Sequence, residues 1–231
     1  MIEYVKRQNN YNLTKILFLF TELILYLLFL FMDFLGRGDS YSVKYACIII
    51  CFVFVSTHFF ASKDGKITTV AVFFTLLADY FLLVKNDNYF LGVSLFLVVQ
   101  VIYRVRLLLI FNKCKEINAK PYITAFCVFA TVIIAFKDKL IVVVLTYFLF
   151  LLSNVIKAFC ITYKTKSKRA LAFAFGLLLL ALCDVCVGLS NLWQYVKITK
   201  NVFSIMVISS RLAWVFYLPS QVLVSLSITE D

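Results

Sequence analysis

The chain has 231 residues, 63% of them hydrophobic and 15% charged, with a formal net charge of +11. Soluble domains run at roughly 45–50% apolar and about 25% charged, so this composition excludes a soluble globular fold, a disordered chain and a small disulfide scaffold. The apolar residues come in long unbroken runs, without the apolar/polar alternation of a membrane barrel strand. That predicts an all-α protein, a polytopic transmembrane helical bundle.

Eight spans are expected, at residues 14–34, 44–60, 67–84, 89–111, 121–136, 140–163, 170–192 and 203–228. The first is too long for the apolar core of a signal peptide, and no small-residue cleavage site follows it, so it counts as a span. The fifth is short, which suits a tilted or partly interfacial segment. No connection exceeds about ten residues and no linker divides the chain, so residues 1–231 are expected to form a single integral membrane domain. Loops on the side of the N-terminus hold 12 Lys and Arg, against 7 on the other side. The richer side is expected to be cytoplasmic, which puts both termini inside a cell membrane. Scattered among short loops, these cations suit anionic lipid headgroups as partners and not nucleic acid.

Of the seven cysteines, all but Cys114 lie in apolar runs, where cysteine acts as a small hydrophobe and no disulfide framework is expected. Cys183-Asp184-Val185-Cys186 spells C-x-x-C, but no histidine is near it in the chain. His58, the single histidine, has no carboxylate cluster one turn away, so no metal site is expected. The chain contains no G-x-S-x-G, P-loop or H-E-x-x-H sequence.

Six ionisable residues fall well inside the spans: Glu22, Asp79, Arg104, Lys157, Asp184 and Arg211. A charge at the bilayer centre costs on the order of 2.5–3.5 kcal/mol on insertion scales, so such residues face the bundle interior or a wet cavity. At about 1.5 Å per residue, Asp79 is expected roughly 18 Å and Asp184 roughly 21 Å from the inner ends of their helices. Arg211 is expected at a comparable level. Arg104, Arg106 and Lys157 lie nearer the inner side, within snorkelling reach of headgroups, and Glu22 is a candidate partner for one of them.

Helical spacing sorts the polar groups into stripes. Thr68, Thr75, Asp79 and Asn86 share one face of the third span, and Gly176, Asp184, Gly188 and Asn191 one face of the seventh. The fourth aligns Gly92, Phe96, Gln100 and Tyr103 or Arg104; the eighth aligns Ser210, Tyr217, Gln221 and Ser225. Four polar faces could thus converge on one cavity, or simply bind helices together by hydrogen bonds. Thr75–Asp79 and Leu180–Asp184 also form a faint repeat, offset by 105 residues, which puts both aspartates at similar depth.

Residues 76–83 (LLADYFLL), followed by Phe90-Leu91-Gly92, Phe96 and Tyr103, resemble the first signature of the YhhN-like membrane family, the lysoplasmalogenases. The run 176–184 resembles its second signature, an apolar helix ending in S-D, and Tyr217 with Gln221 resembles the Y-x-x-x-Q of its last span. Three positions depart from the family pattern: Ala78 for Gly, Cys183 for Ser, and Gln100 for the usual His. Gln100 cannot titrate, which removes any proton shuttle at that position.

The resemblance implies hydrolysis of the vinyl-ether bond of a lysophospholipid of the lysoplasmalogen type, releasing a fatty aldehyde and a glycerophospho-base. Such chemistry needs one carboxylic acid to protonate carbon and a second carboxylate to steady the cation or activate water. Asp79 and Asp184 are the catalytic candidates, in either order, and no metal or organic cofactor is required. Gln100, Tyr103, Arg104, Lys157, Arg211, Tyr217 and Gln221 are the expected substrate contacts, with Arg211 either a counter-ion to an aspartate or a phosphate partner. A membrane transporter and a catalytically silent lipid-binding or sensor protein of the same fold are the alternatives.

Overall fold

A computed structural model describes residues 2–35, 40–111, 139–191 and 200–228. Every regular element among them is helical: α1 (Ile2–Leu35), α2 (Tyr41–Ser56), α3 (Lys63–Asp79), α4 (Tyr89–Arg106), α5 (Lys139–Thr165), α6 (Lys168–Ser190) and α7 (Lys200–Leu226). Two π turns extend α3 through Tyr80–Val84 and α4 through Leu107–Phe111. Six of these helices are long and apolar enough to cross a membrane, and α2, at 16 residues, is shorter. The fourth expected span is reproduced at both ends (Tyr89–Phe111). The fifth, at 121–136, lies outside the described residues, as do Cys114 and Cys127.

Packing closes a ring. Each of α2 to α7 lies against the next, α7 returns to α2, and α1 packs outside on α2 and α7. The outward faces remain apolar: Phe20, Phe31, Leu149, Ile156 and Ile208 are more than half exposed. Contiguous apolar surface of this kind belongs against lipid. Inside, Phe29, Ile48, Tyr103, Leu151, Phe173 and Leu177 are fully enclosed.

Local sequence explains the helix ends. Ser62 precedes α3 and accepts from the Gly65 backbone N–H (2.9 Å); Ser167 precedes α6 and accepts from that of Ala170 (3.3 Å). Each side chain satisfies an N–H that the first turn leaves orphaned. Gly65 is required by space, since a Cβ there would lie 2.0 Å from the His58 carbonyl oxygen. Gly176 lets α7 approach α6, because a Cβ would meet the Ser220 carbonyl at 3.1 Å. Pro219 sits inside α7 and has no N–H for the Val215 carbonyl. The Tyr26 hydroxyl of α1 donates to that carbonyl instead, at 3.2 Å.

Candidate active site

Asp79 is the seventeenth residue of α3 and Asp184 the seventeenth of α6, each counted from a serine-capped start. The faint repeat is therefore a repeat of structure: cap and carboxylate recur in identical register 105 residues apart. Both aspartates stand roughly 25 Å from their caps and within two turns of the opposite helix ends. Asp79 closes α3 at the point where the π turn begins. Such turns rotate the following residues out of register and recur at functional sites.

Each carboxylate is met by one tyrosine. The Tyr217 hydroxyl of α7 donates to Asp79 Oδ2 at 2.5 Å, across the ring, and the Tyr147 hydroxyl of α5 donates to Asp184 Oδ2 at 2.7 Å. Phe96 of α4 lies between the two phenols, its ring centroid 5.9 Å from Tyr147 and 6.4 Å from Tyr217. Cys183 is within electrostatic reach of both carboxylates, and Tyr217 of Tyr147. Asp79, Asp184, both tyrosines, Cys183 and Phe96 thus form one cluster in the ring. Asp79 is 4% exposed, whereas Asp184 is only partly buried. Neither takes part in an ion pair among the described residues, where the pairs are Lys44–Asp33, Lys85–Asp87 and Arg106–Asp64.

The expected contact residues divide. Tyr217 touches Asp79 directly, and Gln221 lies buried one turn further along α7. Gln100 is enclosed on α4, where Asn154 Nδ2 donates to its carbonyl oxygen (2.9 Å) and to its Oε1 (3.0 Å). Tyr103, one turn beyond, is edge-on to Phe173 and faces Thr75. Arg104 bonds Ser153 of α5, and Lys157 is one turn past that serine on a partly exposed face.

Several expectations are corrected. Arg211 is exposed with its guanidinium over the Phe34 ring at 5.7 Å, so it is not the counter-ion of an aspartate. Arg106 does not snorkel: it is fully buried, Nε 2.6 Å and Nη2 2.9 Å from the two oxygens of Asp64, with Nη1 donating to Ser227 at 2.9 Å. Glu22 faces cysteines rather than arginine, with Cys51 Sγ 3.5 Å away. Asn86, Gly188 and Asn191 are exposed, Asn86 lying past the π turn and Asn191 past the end of α6.

Three features escaped the sequence reading. Extending the α3 stripe back one turn from Thr68 reaches Asp64, which pairs with Arg106. Tyr147 shares a buried face of α5 with Leu151 and Asn154, a stripe hidden because tyrosine counts as apolar in a hydropathy scan. Lys44 is 4% exposed, paired with Asp33 at 2.6 Å and ringed by Phe29, Tyr41 and Trp214.

Apolar helices facing outward around a pair of interior carboxylates, neither ion-paired among the described residues, define an integral membrane protein with an interior polar site. The chain belongs to the YhhN family, whose sequence model matches residues 39–228. No curated protein and no solved structure matches it.

Proposed function

We propose that the protein is an intramembrane hydrolase that cleaves the vinyl-ether bond of lysoplasmalogen-type lysophospholipids. The observation that carries this reading is the twin arrangement of Asp79–Tyr217 and Asp184–Tyr147 around Cys183, at equal register in a lipid-facing bundle. Family membership agrees with it. One aspartic acid protonates the β-carbon of the vinyl ether, leaving an oxocarbenium ion. Water adds to the α-carbon and loses a proton to the second carboxylate. The resulting hemiacetal breaks its C–O bond as its hydroxyl proton passes to the leaving oxygen, releasing fatty aldehyde and the glycerophospho-base. A proton returned from the second carboxyl to the first completes the cycle. This is acid/base work of the kind two carboxylates perform on glycosides.

The tyrosines hold each carboxylate in one orientation, and Gln100, Tyr103 and Gln221 line the polar interior beside it. In this reading Arg211, six residues before Tyr217 on α7, meets the substrate phosphate, while Arg104 and Lys157 anchor α4 and α5 to headgroups at the far end. The topology that goes with this reading has eight spans, the fifth at 121–136, in a cell membrane, with both termini cytoplasmic. A reporter active only in the cytoplasm, fused to the C-terminus, tests that orientation.

The enzymatic test is aldehyde release from lysoplasmenyl lipid by purified protein. Release is expected from wild type and lost in Asp79→Asn and in Asp184→Asn; undiminished release by both variants overturns the reading. Gln100, held by Asn154 at the position where the family pattern it resembles has histidine, favours a second reading as a silent lipid-binding member. Saturable lysolipid binding with no aldehyde from wild type would establish that alternative.

A further inference from the structure

Hydrolysis inside a bilayer needs water as a reactant, and the ring interior carries a polar column on the inner side of the carboxylates. Five of its side-chain atoms are buried without a hydrogen-bond partner among the described residues: Gln100 Nε2, Asn154 Oδ1, Tyr103 Oη, Gln221 Oε1 and Ser225 Oγ. Their residues are at most 2% exposed. Native interiors leave very few such groups unmet, because each costs the full desolvation of a donor or acceptor.

These atoms are connected in space. Tyr217, Gln221 and Ser225 recur every fourth residue and so share one face of α7. Ser225 faces Cys51 of α2, and Tyr103 lies within reach of Cys51, of Thr75 on α3 and of Tyr147 on α5. Thr75 is one turn from Asp79, and Gln100 with Asn154 is one turn from Tyr103. The column therefore begins at the Asp79–Tyr217 and Asp184–Tyr147 pairs and runs inward for about 15 Å of helix rise. It ends at Arg106, which Asp64 and Ser227 engage and Phe111 and Phe173 cover at 5.1 and 4.5 Å.

The chemistry of the unmet groups selects the ligand. All five are neutral, they include both donors and acceptors, and Arg106, the cation at the end of the column, is already bound by Asp64. A phosphate or an ammonium has no counter-charge there, whereas water can both donate and accept and takes about three such partners. We propose that this column is a hydration site: a file of ordered water between α3, α4, α5 and α7 that supplies the hydrolytic water to the carboxylates. The delivery role rests on the hydrolase reading above; the hydration does not.

Radiolytic hydroxyl-radical labelling tests it, since bound water generates radicals beside buried side chains. Wild-type protein in lipid nanodiscs is expected to be modified at Tyr103 at least about tenfold faster than at Phe29, which is equally enclosed but outside the column. Ser225→Val, which narrows the column without touching the carboxylates, is expected to bring Tyr103 down to the Phe29 rate. It should also slow aldehyde release about tenfold while leaving binding of an alkyl-ether lysophospholipid unchanged. Tyr103 labelling no faster than Phe29 in wild type overturns the inference, as does labelling that the alkyl-ether lysophospholipid quenches, which would make the column a lipid subsite. Hydrolysis with a dry Tyr103 sinks the water file alone; a labelled Tyr103 without hydrolysis sinks the hydrolase reading and leaves the hydration site standing.

Discussion

Asp64 and Asp79 stand on the same face of α3, fifteen residues apart, and the protein treats them in opposite ways. Asp64 receives both forks of the Arg106 guanidinium, with Ser227 on the remaining nitrogen and Phe173 stacked over the charge. Among the described residues Asp79 receives a single phenol hydroxyl and no cation, and Asp184 is handled the same way on α6. A buried charge with a bidentate partner is fixed in one state and ties helices together. A buried carboxyl met only by a neutral donor keeps its capacity to exchange a proton, and the surrounding fold must bear the cost of its burial. Burial alone therefore does not separate structural from chemical aspartates; the charge of the partner does.

The largest expected effect breaks the chemical side of that contrast. Asp79→Asn and Asp184→Asn keep shape and tyrosine contact but lose the proton, and each should lower kcat by roughly 10²–10⁴-fold, with little change in melting temperature. Steady-state aldehyde release alongside thermal unfolding in detergent measures both. Next comes the structural side. Arg106→Leu strands Asp64 in a dry interior and should cost about 3–5 kcal/mol, read as loss of folded protein in a thermal melt. Adding Asp64→Leu should restore most of that loss, since an apolar pair of similar volume is often neutral. No recovery in the double variant would show that the ion pair does more than hold α3, α4 and α7 together.

A smaller effect sharpens the comparison at the tyrosines. Tyr217→Phe and Tyr147→Phe remove one hydrogen bond each and should cost about 1 kcal/mol of stability. Their effect on kcat should be about tenfold, well short of the aspartate variants, because the carboxyl remains and only its orientation loosens. Losses equal to those of the aspartate variants would instead make the phenols participants in proton transfer.

Much of this was legible without coordinates. Run length and unbroken apolarity reproduced the limits of the fourth helix, and the cost of charge in lipid put Asp79 and Asp184 among six interior candidates. What the sequence hid were partners contributed by other helices. Tyr147 is 37 residues from Asp184 and Tyr217 is 138 from Asp79. Arg106 looked like a snorkelling end residue because spacing along one helix does not reveal that Asp64, 42 residues away, waits opposite it. Helical period reports which face a residue occupies but not which neighbour that face meets. Only the packing of the helices on one another supplies that information.

The smallest effect concerns the frame that holds both regions. Tyr217 lies on α7 two residues before Pro219 and Ser227 just past the end of the helix, so the course of α7 sets the Asp79 contact and the Arg106 contact together. Pro219 deprives Val215 of its intrahelical donor, and Tyr26 fills that role from α1, outside the ring. Tyr26→Phe should therefore cost about 1 kcal/mol in a Pro219 background, since a carbonyl in an apolar setting is left unmet. In a Pro219→Ala background the alanine N–H can serve Val215, and the same Tyr26→Phe change should cost close to nothing. A double-mutant cycle by thermal or denaturant unfolding reads the coupling directly. Equal costs in the two backgrounds would mean that α1 steadies the ring by packing alone and that the tyrosine is not replacing the missing helical bond.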